Sequence, residues 1–275
     1  MKNLLQQIEE SKKFILSRIK NAPKIGLILG SGLGSLANEI KDPVSIDYKD
    51  IPNFPISTVE GHVGQLIIGA LANKEVVAMQ GRPHYYEGYS MQEVTFPVRV
   101  MQAIGVDLLI ITNACGGLNS QLYPGALMII KDHINLTGDN PLLGTNYEEL
   151  GPRFPDMSNA YDRNYIELAK QVGKNLSIKL HEGVYLGISG PNYMSKAELK
   201  MCIKLGADTI GMSTVPEVIV ARHGGLKVLG ISCVTDMAIP NQLVSISHEE
   251  VINVANKTKP KFIRLVKSII EEVEL

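Results

Sequence analysis

The chain predicts an α/β fold on three observations. Short aliphatic and β-branched runs recur along it, and apolar residues at helical spacing separate those runs. No internal repeat or low-complexity linker divides the 275 residues. One domain is therefore expected, with a central mixed sheet and helices around it.

The first element is a helix over residues 3–20. There Leu4, Leu5, Ile8, Ile15 and Ile19 share one side, while Glu9, Lys12 and Arg18 break any continuous apolar run. An apolar run predicts a strand at 25–29, and two more strands follow at 65–70 and 75–79. A helix is expected over 91–104, then strands at 108–112 and 126–130. Residues 137–158, rich in Gly, Pro and Asn, read as a long irregular loop, which in a compact domain is often functional or at an interface. A helix at 165–175, a strand at 183–188 and a helix at 195–205 come next. Residues 216–223 read as helical because Pro216 suits a first turn. A strand at 228–233 and a helix at 248–273 complete the order.

Bulk properties narrow the function classes. Hydrophobic residues make up 45% of the chain and charged ones 20%, with a formal net charge of −1. That balance argues against disorder and leaves no basic footprint for nucleic acid or a membrane surface. No stretch approaches the roughly 20 apolar residues that span a bilayer, and the N-terminus lacks a secretory pattern. Cys115, Cys202 and Cys233 form neither a disulfide framework nor a metal-ligand spacing. Buried, reduced thiols in a cytoplasmic protein are expected.

Four segments carry candidate chemistry, three of them at the exits of apolar strands, where ligands gather in open α/β sheets. Gly30-Ser31-Gly32-Leu33-Gly34 lets backbone N–H groups converge beside the Ser31 hydroxyl, a geometry suited to an anion. It departs from the dinucleotide fingerprint at Ser35 and lacks the Lys of a P-loop; an ordinary tight turn also fits it. In Gln80-Gly81-Arg82-Pro83-His84-Tyr85-Tyr86-Glu87-Gly88, Arg82 offers a donor fork for phosphate oxygens. His84 adds an imidazole that Glu87 could orient, while a solvated turn with a surface ion pair is the plain alternative. Thr112-Asn113-Ala114-Cys115-Gly116-Gly117 could extend an anion cradle through Asn113 and the next amides, or be a glycine-rich turn. Gly211-Met212-Ser213-Thr214-Val215-Pro216-Glu217 sets Ser213 near a helix N-terminus, as an anion ligand or a simple cap. Together the four favour a phosphate site. Neither a metal-ligand cluster nor a Gly-x-Ser-x-Gly elbow is visible in the sequence, so metal-free chemistry is expected.

These segments, together with Glu60-Gly61-His62-Val63-Gly64, Thr95-Phe96-Pro97-Val98-Arg99, Asp132-His133-Ile134-Asn135-Leu136, Arg153-Phe154-Pro155 and Leu205-Gly206-Ala207-Asp208, closely resemble the trimeric purine nucleoside phosphorylase family. The resemblance runs from about residue 25 to about residue 255. It implies a twisted mixed sheet with a distorted barrel, ringed by helices, in a homotrimer. It implies phosphate as co-substrate, with no cofactor and no metal, held by Ser31, Arg82, His84, Asn113, Ala114 and Ser213, with His62 on a loop closing nearby. Ribose contacts would fall to Tyr86, Met212 and His248, and Phe154 would reach into the neighbouring subunit's site. The implied reaction breaks C1′–N9 and leaves an oxocarbenium-like sugar, which phosphate stabilises and captures, while a donor at N7 steadies the departing purine. Such preorganised donors are worth about 3 kcal/mol each.

The base pocket departs from that family's usual pattern. A Gly-Pro-x-aromatic-Glu run is usual, its Glu accepting the N1–H of a 6-oxopurine; here it reads Gly190-Pro191-Asn192-Tyr193-Met194. Asp236 stands where an Asn usually follows the late Thr, and Met237 where a Lys often follows. Adenine N1 is an acceptor that a carboxylate would repel, and Met194 removes the repulsion. Asp236 can accept from the 6-amino group and, if burial keeps it protonated, donate to N7. With Tyr193, Met194 and Asp236 as base contacts and His84, Asp236 and His248 as the catalytic set, the expected substrate is adenosine. Inosine or guanosine ranks next and methylthioadenosine third, since relatives using the last usually carry a small apolar residue at the His248 position. A nucleoside hydrolase would need an activated water, commonly metal-bound. A non-catalytic nucleoside-binding protein would not need the full phosphate cradle.

Overall fold

The computed structural model describes residues 3–59, 62–241 and 248–275, with His248 described in its backbone alone. Strand β1 (Ile25–Leu29) is buried along its whole length, as a strand covered on both faces must be. It lies between two parallel neighbours, β4 (Lys74–Gln80) and β5 (Leu108–Gly117). β3 (Gln65–Leu71) runs antiparallel to β4 and carries β2 (Lys41–Asp47) on its outer side. On its far side β5 leads to β8 (Thr209–Gly211), β7 (Leu180–Ile188), β6 (Leu127–Leu136) and β9 (Lys227–Met237). Because β9 pairs back with β5, these five strands close into a barrel.

Two bulges bend the barrel wall, one where β5 passes from Cys115 to Gly116 and one between Ile130 and Asp132 of β6. An extra residue in one strand raises local twist and turns the strand, which lets so few strands close. β5 also changes neighbour along its length. It pairs with β1 as far as Ile111 and with β8 only from Gly116. Between those points one side of β5 has no strand partner among the described residues.

Six α-helices surround the sheet among the described residues: α1 (Leu4–Leu16), α2 (Met91–Ala103), α3 (Arg163–Asn175), α4 (Lys196–Lys204), α5 (Val215–His223) and α6 (His248–Glu272). Capping boxes set three of their starts, Asn3 with Gln6, Ser90 with Glu93, and Ser195 with Glu198. The first helix ends at Leu16 rather than Lys20, with Ser17 as its C-cap; beyond it Ile19 alone cannot hold a further turn. Residues 137–158 contain only the 3-10 turn Glu148–Leu150, as expected of an irregular loop. α2 packs on α1 and α5, and α6 packs on β9 and α3. All three cysteines are buried and free. No helix of the described residues is long and apolar enough to cross a membrane.

The core fills both faces of β5, where Ile110 is fully buried, in register with Leu27 of β1 and Leu229 of β9. Ile110→Ala should cost about 2–5 kcal/mol of stability, measured by urea unfolding. A loss under about 1 kcal/mol would mean that the surroundings collapse into the space.

Candidate active site

A cavity of about 700 Å³ lies where β5 has left β1 and not yet met β8. Ser31 enters it from the turn after β1, and Arg82, His84 and Tyr86 from the turn after β4. Asn113 and Ala114 come from β5, Met212 and Ser213 from the segment before α5, Tyr193 and Met194 from the segment after β7, and Asp236 from β9. Eleven of the fourteen candidates named above thus line one space. His62 stands behind it, with Nε2 3.1 Å from Ser31 Oγ. Phe154 is not among the lining residues and is 88% exposed on the long loop. Glu60, Gly61 and the side chain of His248 lie outside the described residues.

At one end the backbone comes together closely. A side chain at Gly30 would place its Cβ 2.8 Å from Asn113 Cα and 2.9 Å from Thr112 O, so only glycine lets β1 exit against β5 here. Arg82 is buried: Nη1 donates to Glu217 Oε1 at 2.9 Å and Nη2 donates to Thr112 O. Five N–H donors less these two leave an edge free for an anion. Removing either partner of such a pair strands a buried charge, a cost of about 3–5 kcal/mol.

Thr214 is the strained point of the site. Its φ of 75° and ψ of −53° form a rare three-residue turn, closed by Val215 N donating to Ser213 O at 2.8 Å. Non-glycine residues held there cost about 1–3 kcal/mol. In return Thr214 Oγ1 accepts from Asn113 Nδ2 at 2.9 Å and sits 3.2 Å from Ser213 Oγ. Asn113 Oδ1 is left buried without a partner among the described residues. The N-terminus of α5, the positive end of its dipole, begins at this turn.

Both histidines are held neutral. Burial, then the positive field of His84, lowers His62 to about 4. Its Nδ1 lies 3.0 Å from Arg82 O and 3.1 Å from Arg82 N, and its Nε2 faces Ser31 Oγ. Burial also lowers His84, against the opposing pull of Glu87, whose Oε1 is 3.3 Å from Nδ1. Burial alone would raise Glu87, but hydrogen bonds from His84 and Thr58 outweigh it and hold the carboxyl at about 2. The His84 ring stacks on Tyr86 at 4.8 Å between centroids.

The other end is mostly apolar. Asp236 is the exception, and burial raises its carboxyl against a hydrogen bond from Thr235 Oγ1 to Oδ1 at 2.9 Å. Thr235 Oγ1 also lies 3.2 Å from Cys115 O, so its one proton is shared between that carbonyl and the Asp236 carboxyl at the β9 bulge. Met194 packs against the smaller apolar cluster of Leu199, Cys202, Ile210 and Ala238. Sequence reasoning did not assign Glu217, Thr214, Thr235 or Cys115. All four sit inside or beside quoted motifs, but their partners are more than a hundred residues away or depend on an unusual backbone.

The model of the phosphorylase superfamily matches residues 24–271. Purine nucleoside phosphorylase 1 of Bacillus subtilis (strain 168) is 54% identical over 98% of this chain and 99% of its own length. Among solved structures, isoform 2 of purine nucleoside phosphorylase from Schistosoma mansoni, in complex with cytosine and ribose-1-phosphate, matches with a TM-score of 0.94. It is 46% identical and is aligned over 98% of this chain and 97% of that one. Schistosoma mansoni purine nucleoside phosphorylase, solved with adenosine (42% identical) and with inosine (41%), matches at the same TM-score over 98% of both chains.

His62 titrates near 4 when folded and about 6.5 when unfolded. In acid the unfolded chain therefore takes up the proton first. The stability contributed by the neutral ring is complete above about pH 6.5 and is lost as pH falls toward 4. The urea midpoint should drop between about pH 7 and 4.5, and drop less in His62→Asn. Identical slopes in the two proteins would sink this reading.

Proposed function

The chain belongs to the phosphorylase superfamily and, within it, to the purine nucleoside phosphorylases, and from that premise we propose that its base pocket favours 6-aminopurines, with adenosine preferred. The activity is phosphate-dependent cleavage of the C1′–N9 bond, giving free purine and pentose 1-phosphate. The observation that carries the preference is the pairing of half-buried Asp236, its carboxyl raised by desolvation, with thioether-bearing Met194. A protonated Asp236 donates to N7 and accepts from the 6-amino group, while Met194 presents no charge to the N1 lone pair. A site built on one hydrogen-bond pattern rejects the other because mismatched groups stay unpaired.

Phosphate sits between Ser31, Arg82, His84, Asn113, Ala114 and Ser213 in this reading, with His62 holding Ser31. With its Nδ1 proton directed at Glu87, neutral His84 offers a lone pair at Nε2, which suits the hydroxyl of monohydrogen phosphate. Tyr86, Met212 and His248 take the ribose. As C1′–N9 lengthens, phosphate faces the developing positive sugar and Asp236 the developing negative base; His84, Asp236 and His248 form the catalytic set. Phosphate is the co-substrate and no cofactor takes part. The exposure of Phe154 supports its insertion into a neighbouring subunit's site in a homotrimer.

With saturating phosphate, kcat/KM for adenosine should exceed that for inosine at least tenfold; faster inosine cleavage overturns the preference. Asp236→Asn should move the ratio toward inosine. Thr214→Gly relieves the turn but strands the buried Asn113 amide, two opposing effects of about 1–3 kcal/mol each, so stability should change little while KM for phosphate rises severalfold because Asn113 loses its anchor. An unchanged KM would show that Asn113 is held by other contacts.

A further inference from the structure

The wall beside Asp236 is built from Met194, Leu199, Ile210, Met237 and Ala238. Leu199, Ile210 and Ala238 are buried, and Met194 is backed by Cys202, Sδ to Sγ 3.5 Å. Tyr193 lines the same cavity and is 58% exposed, so this wall reaches the protein surface. A polar pocket for a bare amino group would close around N1 and C6 with donors and acceptors. This one offers an apolar surface with two unbranched thioethers, Met194 and Met237, which re-pack around differently shaped groups.

We propose that the enzyme also cleaves adenosines that carry an apolar substituent on the 6-amino nitrogen. The inference rests on the base orientation given above. Conjugation of the exocyclic nitrogen with the ring keeps its two substituents in the plane, one toward N1 and one toward N7. Asp236 requires the remaining N–H on the N7 side, which turns the alkyl or benzyl group toward N1 and onto Met194 and Leu199. Burying that group adds apolar area at about 25 cal/mol per Å² without unpairing any polar atom. The reaction is unchanged: the C1′–N9 electron pair leaves with the base, N7 takes the proton of Asp236, a phosphate oxygen bonds C1′, and the proton of the monohydrogen phosphate replaces the one Asp236 gave up. The products are the N6-substituted adenine and ribose 1-phosphate.

The test uses the full-length protein with inorganic phosphate and five nucleosides: adenosine, N6-methyladenosine, N6-benzyladenosine, N6,N6-dimethyladenosine and inosine. N6-methyl- and N6-benzyladenosine should keep kcat/KM within tenfold of adenosine. N6,N6-dimethyladenosine, which has no N–H for Asp236, should fall at least a hundredfold. If adenosine is cleaved well but both monosubstituted nucleosides fall a hundredfold, the proposal is overturned while the adenosine preference stands. If inosine outpaces adenosine, the base orientation itself fails and takes the proposal with it.

Discussion

Strand β5 serves both the open part of the nine-stranded sheet and its barrel, and the rest of the molecule follows from that. Its first half is pinned between β1 and β9 and its last residues between β8 and β9. A strand cannot keep one neighbour in the open sheet and another in the barrel without a stretch that has neither. That stretch, from Thr112 to Cys115, lies beside a cleft lined by the turns after β1 and β4 and by the end of β9. Ligand sites at such switch points arise because strand ends diverge there and leave polar groups facing outward.

The two ends of this cleft solve opposite electrostatic problems. One end gathers positive character without free cations: Arg82 is buried against Glu217, both histidines are kept neutral by burial, and the α5 N-terminus adds its dipole. Their donors are fixed before any ligand arrives, so no reorganisation is needed when charge develops. At the other end burial has the reverse effect, favouring the uncharged form of the Asp236 carboxyl. The strain at Thr214 joins the two problems, because an unfavourable turn holds Asn113 and Ser213 together at the mouth of α5.

Much of this was legible in the sequence, for reasons that particular segments make plain. β1 is a short, continuous apolar run with a glycine-rich exit, and its predicted bounds coincide with the observed ones. β2 was missed because Lys41, Asp42 and Pro43 give it the composition of a loop, as befits an edge that must not pair further. β8 was missed because three residues carry no period. β5 and β6 run on well past their expected ends, since Asn113, Asp132 and His133 are polar residues still in strand. The motifs gathered most of the candidate site because nearly every contributing turn carries its own glycine or cap signature. Phe154 belongs to the same motif set, yet its place is on the loop surface.

By itself, the sequence determined the fold class, the turns that carry polar groups, and the loss of a carboxylate where Met194 stands. Each of these is local, written in periodicity, glycine placement or the chemistry of one side chain. Only the tertiary structure decided which end of the cavity each group faces and what charge it bears. Closure of the barrel through the β5–β9 pairing, the Arg82–Glu217 pair across 135 residues, and the burial that shifts His62, His84 and Asp236 are all non-local. Desolvation depends on everything packed around a group, and no window of sequence contains that environment.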